Sequence, residues 1–172
     1  LAILGLARAV ARRGGGRRRI LVTATEHSAV LAAADAAARE EGMQVERLPV
    51  AADGQLTPAT LEAALAPDVA LVSLAPVNNE TGVIQPIERL APLVRAVGAR
   101  LHLDAAQAVG RVPEPGPYRH ADLVSLSAHK CCGPKGIGAL CVRPDVRLAP
   151  LMHGGGQQSG RRSGTLPVGL IA

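Results

Sequence analysis

Six short runs rich in Val, Leu and Ile, separated by stretches with helical spacing, constrain the fold more than any other feature of this chain. Residues 20–25, 44–50, 69–75, 100–104, 121–127 and 136–142 read as strands. The runs at 20–25 and 69–75 are continuous rather than alternating, as expected of strands buried on both faces. Helices are expected over 1–13, over 29–41 with Gly42 as the stop, and over 87–97 with Gly98 as the stop. Another begins at Thr57, with Pro58 in its first position, and runs to about residue 65. Asp53-Gly54 and the segment 78–82 read as turns, and 111–120, with three prolines, as a loop. The alternation predicts an α/β three-layer sandwich with a mainly parallel sheet. There is no internal repeat and no linker, so residues 1–172 are expected to form one domain.

Composition narrows what such a sandwich can do. Tyr118 is the only aromatic residue, so the core must be built from Ala, Val, Leu and Ile, and only histidine is available to stack on a ring. The net charge of +5 is concentrated in 12–19, which holds five arginines and reads as a solvated loop. Without a binding motif or an aromatic platform it does not suggest nucleic acid. Cys131, Cys132 and Cys141 have neither a disulfide framework nor zinc-ligand spacing, so a reducing cytoplasm is expected and no metal. No apolar run approaches the ~20 residues that span a membrane, and residues 1–10 do not resemble a signal peptide. The chain starts at Leu1 without Met and stops in an apolar run, which suggests a piece of a longer protein.

Only two of the nineteen basic residues are lysines, Lys130 and Lys135; every other one is arginine. Arginine keeps its proton in proteins, whereas a desolvated lysine can become a neutral amine and form a Schiff base. A lysine retained in an arginine-biased chain is therefore a candidate for chemistry, although on the count alone the plainer reading, one lysine an accident and the other a surface or phosphate cation, is favoured.

His27, Asn79, Asp104, Gln107, Ser127, His129 and Lys130 all fall just after expected strands. In an open α/β sheet, ligands bind outside the carboxyl ends of the strands, so these side chains can converge although a hundred residues separate them. Singly, each has a plainer reading. Asp104 or His27 could cap a helix, Asn79 could shape a turn, Ser127 could end a strand and Gln107 could lie on an exposed helix face. Jointly, an amine, a carboxylate, amide and hydroxyl donors and an imidazole match the needs of pyridoxal 5′-phosphate.

Several segments carry a resemblance. Thr25-Glu26-His27-Ser28, Asn78-Asn79-Glu80-Thr81-Gly82, His102-Leu103-Asp104-Ala105-Ala106-Gln107, Ser127-Ala128-His129-Lys130, Gly133-Pro134-Lys135-Gly136-Ile137-Gly138 and Gly154 to Gln157 through Arg162 to Pro167 resemble the cysteine desulfurases. These are aminotransferase class V enzymes of pyridoxal-phosphate fold type I. The resemblance covers nearly the whole chain and implies most of a cofactor-binding large domain over 1–172, truncated at both ends, with the small C-terminal domain absent.

It further implies that Lys130 carries the cofactor and that Asp104 pairs with the pyridinium nitrogen. His27 would stack on the ring and move protons. Asn79 and Gln107 would bond the phenolic oxygen, while Ser127 and His129 would hold the phosphate. Thr165 would reach the phosphate of a partner subunit, which implies a homodimer. The implied reaction takes sulfur from L-cysteine, giving L-alanine and an enzyme persulfide for a sulfur-acceptor protein, in iron–sulfur cluster assembly or tRNA thiolation. The persulfide cysteine and the carboxylate-binding arginine are expected outside this sequence, so the piece alone is expected to be inactive. Cys131 and Cys132 read as small packing residues and Lys135 as a supporting cation. The alternatives are a selenocysteine lyase, another class V enzyme such as an aminotransferase or kynureninase-like hydrolase, or a non-catalytic remnant that serves as a binding partner.

Overall fold

The computed structural model describes residues 1–112 and 117–172. The chain runs α1 (Ala2–Arg13), β1 (Arg19–Thr23), α2 (Ser28–Glu41), β2 (Gln44–Leu48), α3 (Pro58–Ala64), β3 (Val69–Leu74), α4 (Ile87–Ala96) and β4 (Arg100–Asp104), then β5 (Leu123–Ser127), β6 (Gly138–Val142) and a last short helix α5 (Val168–Ile171). The six expected strands and the four main helices are present, with ends shifted by one or two residues. Part of the expected loop over 111–120 lies outside the described residues, at 113–116; Pro117–His120 form a 3₁₀ turn.

Strand order is β2-β1-β3-β4-β5-β6, parallel throughout except for antiparallel β6. Period-two alternation divides the core. Ile20, Val22, Leu71 and Leu123 pack with Ile3 and Leu6 of α1 and Val30, Ala34 and Ala37 of α2. Leu21, Val72, Leu74, Leu101 and Leu103 pack with Leu61 of α3 and Leu90 and Val94 of α4 on the other face. Helices thus cover both faces, the three-layer arrangement expected. Each fully buried leucine or isoleucine contributes about 1.5–3 kcal/mol, which is how a core with almost no aromatics suffices.

Local signals behave as their chemistry dictates. Thr57 caps α3, its Oγ1 accepting from the Thr60 amide at 3.1 Å. Gly42 ends α2 at φ +66°, a left-handed conformation that favours glycine. One expectation needs correction: the basic run at 12–19 is not wholly a solvated loop. Arg17 donates to the carbonyls of Val69 and Val97, tying the start of β3 to the end of α4, and Arg19 at the start of β1 pairs with Glu46 of β2 and with Asp68 just before β3.

From β1 the chain goes outward to β2 and then returns past β1 to β3. The loops leaving β1 and β3 therefore depart in opposite directions and open a crevice at the carboxyl edge, the usual ligand position in such sheets.

Candidate cofactor site

A cavity of about 400 Å³ occupies that edge, and its walls include His27, Asn79, Asp104, Gln107, Ser127, His129 and Lys130. Seven of the eight site residues expected from sequence thus meet in one place, delivered by the ends of β1, β3, β4 and β5. Thr165 is not among the lining residues; it is exposed, in the irregular segment before α5. Ser125 also lines the cavity, a residue the sequence reading passed over.

Asp104 ends β4. Its Oδ1 accepts from the Ala106 amide at 3.2 Å and faces the Ser125 hydroxyl at 3.5 Å, while Oδ2 has no protein partner among the described residues. The residues after it form a turn, so Asp104 is not the helix cap that it could have been. Gln107 lies in the same turn rather than on a helix face.

His27 does cap a helix: its Nδ1 accepts from the Ala29 amide at 3.2 Å at the start of α2. In the neutral ring this bond puts the proton on Nε2. The capping and the functional readings of His27 are therefore compatible, because they use different atoms.

Lys130 closes a 3₁₀ turn (Ala128–Lys130) directly after β5. It is half-buried, and among the described residues its amine has no hydrogen-bond or ion-pair partner. The loop beyond it is tight. Cys131 and Gly133 both donate to the Ala128 carbonyl, and Cys132 between them sits at φ +62°, a conformation rare for a residue with a Cβ. Ser127 Oγ and His129 Nδ1 are 2.9 Å apart at the base of this turn.

Two buried side chains hold the crevice open. Glu26 Oε1 accepts from Thr23 Oγ1 at 2.6 Å and from the Ala75 amide at 2.9 Å, joining the ends of β1 and β3, while its buried Oε2 has no partner among the described residues. Burial, reinforced by the negative charge of Asp104, pushes its carboxyl up to about 7 against the pull of its two hydrogen bonds. Asn78 donates to the Thr25 carbonyl at 2.8 Å and accepts from the Glu80 and Thr81 amides. Each is the chain neighbour of a cavity residue, His27 or Asn79, so anchoring one positions the other. The sequence reading missed both as anchors; the available signal was a polar residue beside each candidate at a strand end, where unpaired backbone groups need partners.

The aminotransferase class-V family profile matches residues 1–167. The chain belongs to the aminotransferase class-V family. A curated relative, a cysteine desulfurase of Cereibacter sphaeroides, is 52% identical over 145 residues, covering 84% of this chain and 38% of that protein. The crystal structure of DndA from Streptomyces lividans superposes with a TM-score of 0.88 at 44% identity, covering 99% of this chain and 48% of the other. A structure of SspA in complex with cysteine matches with a TM-score of 0.89 at 37% identity, over 99% and 48% of the two chains. This class-V chain therefore spans less than half the length of these relatives.

Within the class-V chain the cavity combines an unpaired amine, a carboxylate with one free oxygen and an imidazole. That set can bind a carbonyl covalently, stabilise a cation and transfer protons. Among the described residues no cluster of His, Cys, Asp or Glu could hold a metal ion, and no helix is long and apolar enough to cross a membrane.

Proposed function

We propose that residues 1–172 are the cofactor-binding large domain of a pyridoxal-phosphate enzyme that removes sulfur from L-cysteine, a cysteine desulfurase. Lys130 carries this reading: a half-buried, unpartnered amine on the wall of a cavity that also holds Asp104 and His27. The donor set fits the cofactor. Asp104 keeps one carboxylate oxygen free for a protonated ring nitrogen, and His27 offers a flat ring for stacking. Asn79 and Gln107 can donate to the phenolic oxygen, and Ser127 and His129 to the phosphate. The volume of about 400 Å³ falls within the ~300–1,000 Å³ of small-ligand sites.

When bound, pyridoxal phosphate supplies an electron sink that acidifies the substrate's α-carbon. Lys130 would hold the cofactor through its amine and, once the substrate's amine has displaced it, would move the proton at that carbon. Asp104 would pair with the positive ring nitrogen through its free oxygen. His27 carries its own proton at Nε2, available for transfer. The relatives named cysteine desulfurase and the SspA complex with cysteine support L-cysteine as substrate. The products are then L-alanine and sulfur held as a persulfide on a cysteine thiolate, for delivery to an acceptor protein. The exposure of Thr165, away from the cavity, supports a homodimer in which it serves the partner's phosphate. Three exposed free thiols favour a reducing, cytoplasmic setting.

The test is product analysis with the full-length protein, L-cysteine and a dithiol, which reduces the persulfide to sulfide. L-alanine and sulfide should form in equal amounts, and Asp104→Ala should lower kcat about a hundredfold or more. Alanine from selenocysteine but not from cysteine would make it a lyase. No turnover and no cofactor absorption would leave a non-catalytic binding protein.

A further inference from the structure

Asp104 is backed by a buried polar row that the functional reading leaves unused. In the parallel register Ser73 of β3 lies beside His102 of β4, and Asp104 lies beside Ser125 of β5. Ser73 and His102 are 0% and 2% exposed, on the sheet face otherwise filled by apolar side chains under α1 and α2. The Ser73 hydroxyl is 2.8 Å from His102 Nδ1, His102 Nε2 is 3.1 Å from Ser125 Oγ, and Ser125 Oγ is 3.5 Å from Asp104 Oδ1. Three strands thus contribute to one unbroken polar row ending at the carboxylate.

The row has a direction because its members differ in what they can donate. An ionised carboxylate only accepts, and a serine hydroxyl has one proton. At 3.5 Å the last link is longer than a formed O–H···O bond of about 2.5–3.0 Å, and its polarity still matters: a hydroxyl proton turned to the carboxylate attracts it, a lone pair repels it. If Ser125 gives its proton to Asp104, His102 must donate from Nε2. Its Nδ1 is then bare and must accept from Ser73. The reverse order points two oxygens with lone pairs at each other.

We propose that Ser73, His102 and Ser125 form a one-way hydrogen-bond chain whose last hydroxyl turns its proton toward Oδ1 of Asp104, with His102 as a positioning residue in its neutral Nε2–H form. The chain steadies the carboxylate from Oδ1 and leaves its other oxygen for the cavity. Full burial, which pushes His102 down to about 4, keeps the ring neutral. The groups bonded to the ring are the two serines from β3 and β5; the nearest charge along the row is Asp104 itself. The proposal rests on the reading in which Asp104 meets the cofactor's ring nitrogen.

The experiment is long-range proton–nitrogen NMR on full-length holoenzyme with ¹⁵N-labelled histidine, the His102 signals being assigned by their loss in His102→Asn. Should that variant not fold, Ser73→Ala assigns them by their displacement. The expected ring carries its proton on Nε2, with a bare Nδ1, unchanged from about pH 6 to 8. A ring protonated on Nδ1, or an imidazolium, overturns the proposal. Ser73→Ala cuts the far end of the row without touching the cavity wall. It should yield a mixture of tautomers and raise the apoprotein's dissociation constant for pyridoxal phosphate about threefold to tenfold. If neither changes, His102 is a core residue and no more. Borohydride reduction of the same samples separates the two readings: an adduct elsewhere than on Lys130 overturns the cofactor assignment and the positioning role with it, whatever the tautomer.

Discussion

Glu26 shows at the scale of one residue how burying a polar anchor beside the site ties stability to pH. Its carboxyl, about 7 in the folded protein against an ordinary 4.5, is neutral where an exposed glutamate has ionised. Between those values the folded state holds a proton that the unfolded chain has released, so stability falls as pH rises and levels off above about 7. Glu26→Gln keeps a carbonyl oxygen for Thr23 and Ala75 but cannot ionise. The variant's stability relative to the wild type should therefore grow between about pH 5 and 7, by roughly 3 kcal/mol, and stay constant above. Denaturant unfolding of the full-length apoprotein measures this, and a difference independent of pH would mean an ordinary carboxyl. Residues differ in how plainly sequence exposes them. Lys130 stood out because arginine cannot replace a neutral amine. Glu26, Asn78 and His102 did not, because only the pairing of strands decides whether a polar side chain is buried and what it meets.

At the scale of elements, the β5–β6 hairpin carries the most consequence, since it presents Ser127, His129 and Lys130 together. Its strands are antiparallel, Ser127 opposite Gly138. The sequence reading placed these strands close without assigning direction. The ten residues between β5 and β6 are too few for a parallel crossover of about a dozen or more, so the direction was legible from the connection length. The glycine is required by contact: a Cβ at Gly138 would lie 2.6 Å from the Leu126 carbonyl oxygen. Gly138→Ala should push the hairpin apart, lower stability by about 1–3 kcal/mol and weaken cofactor retention. An unchanged urea midpoint would mean that the hairpin can yield there freely. The strand–helix alternation was readable because a strand buried on both faces leaves a continuous apolar run. The role of Arg17 was not, because its carbonyl partners at Val69 and Val97 are remote in sequence.

At the scale of the whole molecule, site and fold have one origin. The chain's return from β2 past β1 to β3 opens a crevice at the sheet's carboxyl edge, and four strand ends fill it with the groups that a pyridoxal cofactor needs. Sequence could propose this convergence from strand-end positions; the shared cavity required the strand order. Thr165 marks the limit, since its proposed work lies in a second subunit. The central claim is that Lys130, and not the nearby Lys135, holds the cofactor. Borohydride reduction of the full-length holoenzyme followed by peptide mapping measures this directly. A pyridoxyl group on Lys130 is the expected result; its appearance on Lys135, or no adduct at all, would contradict it.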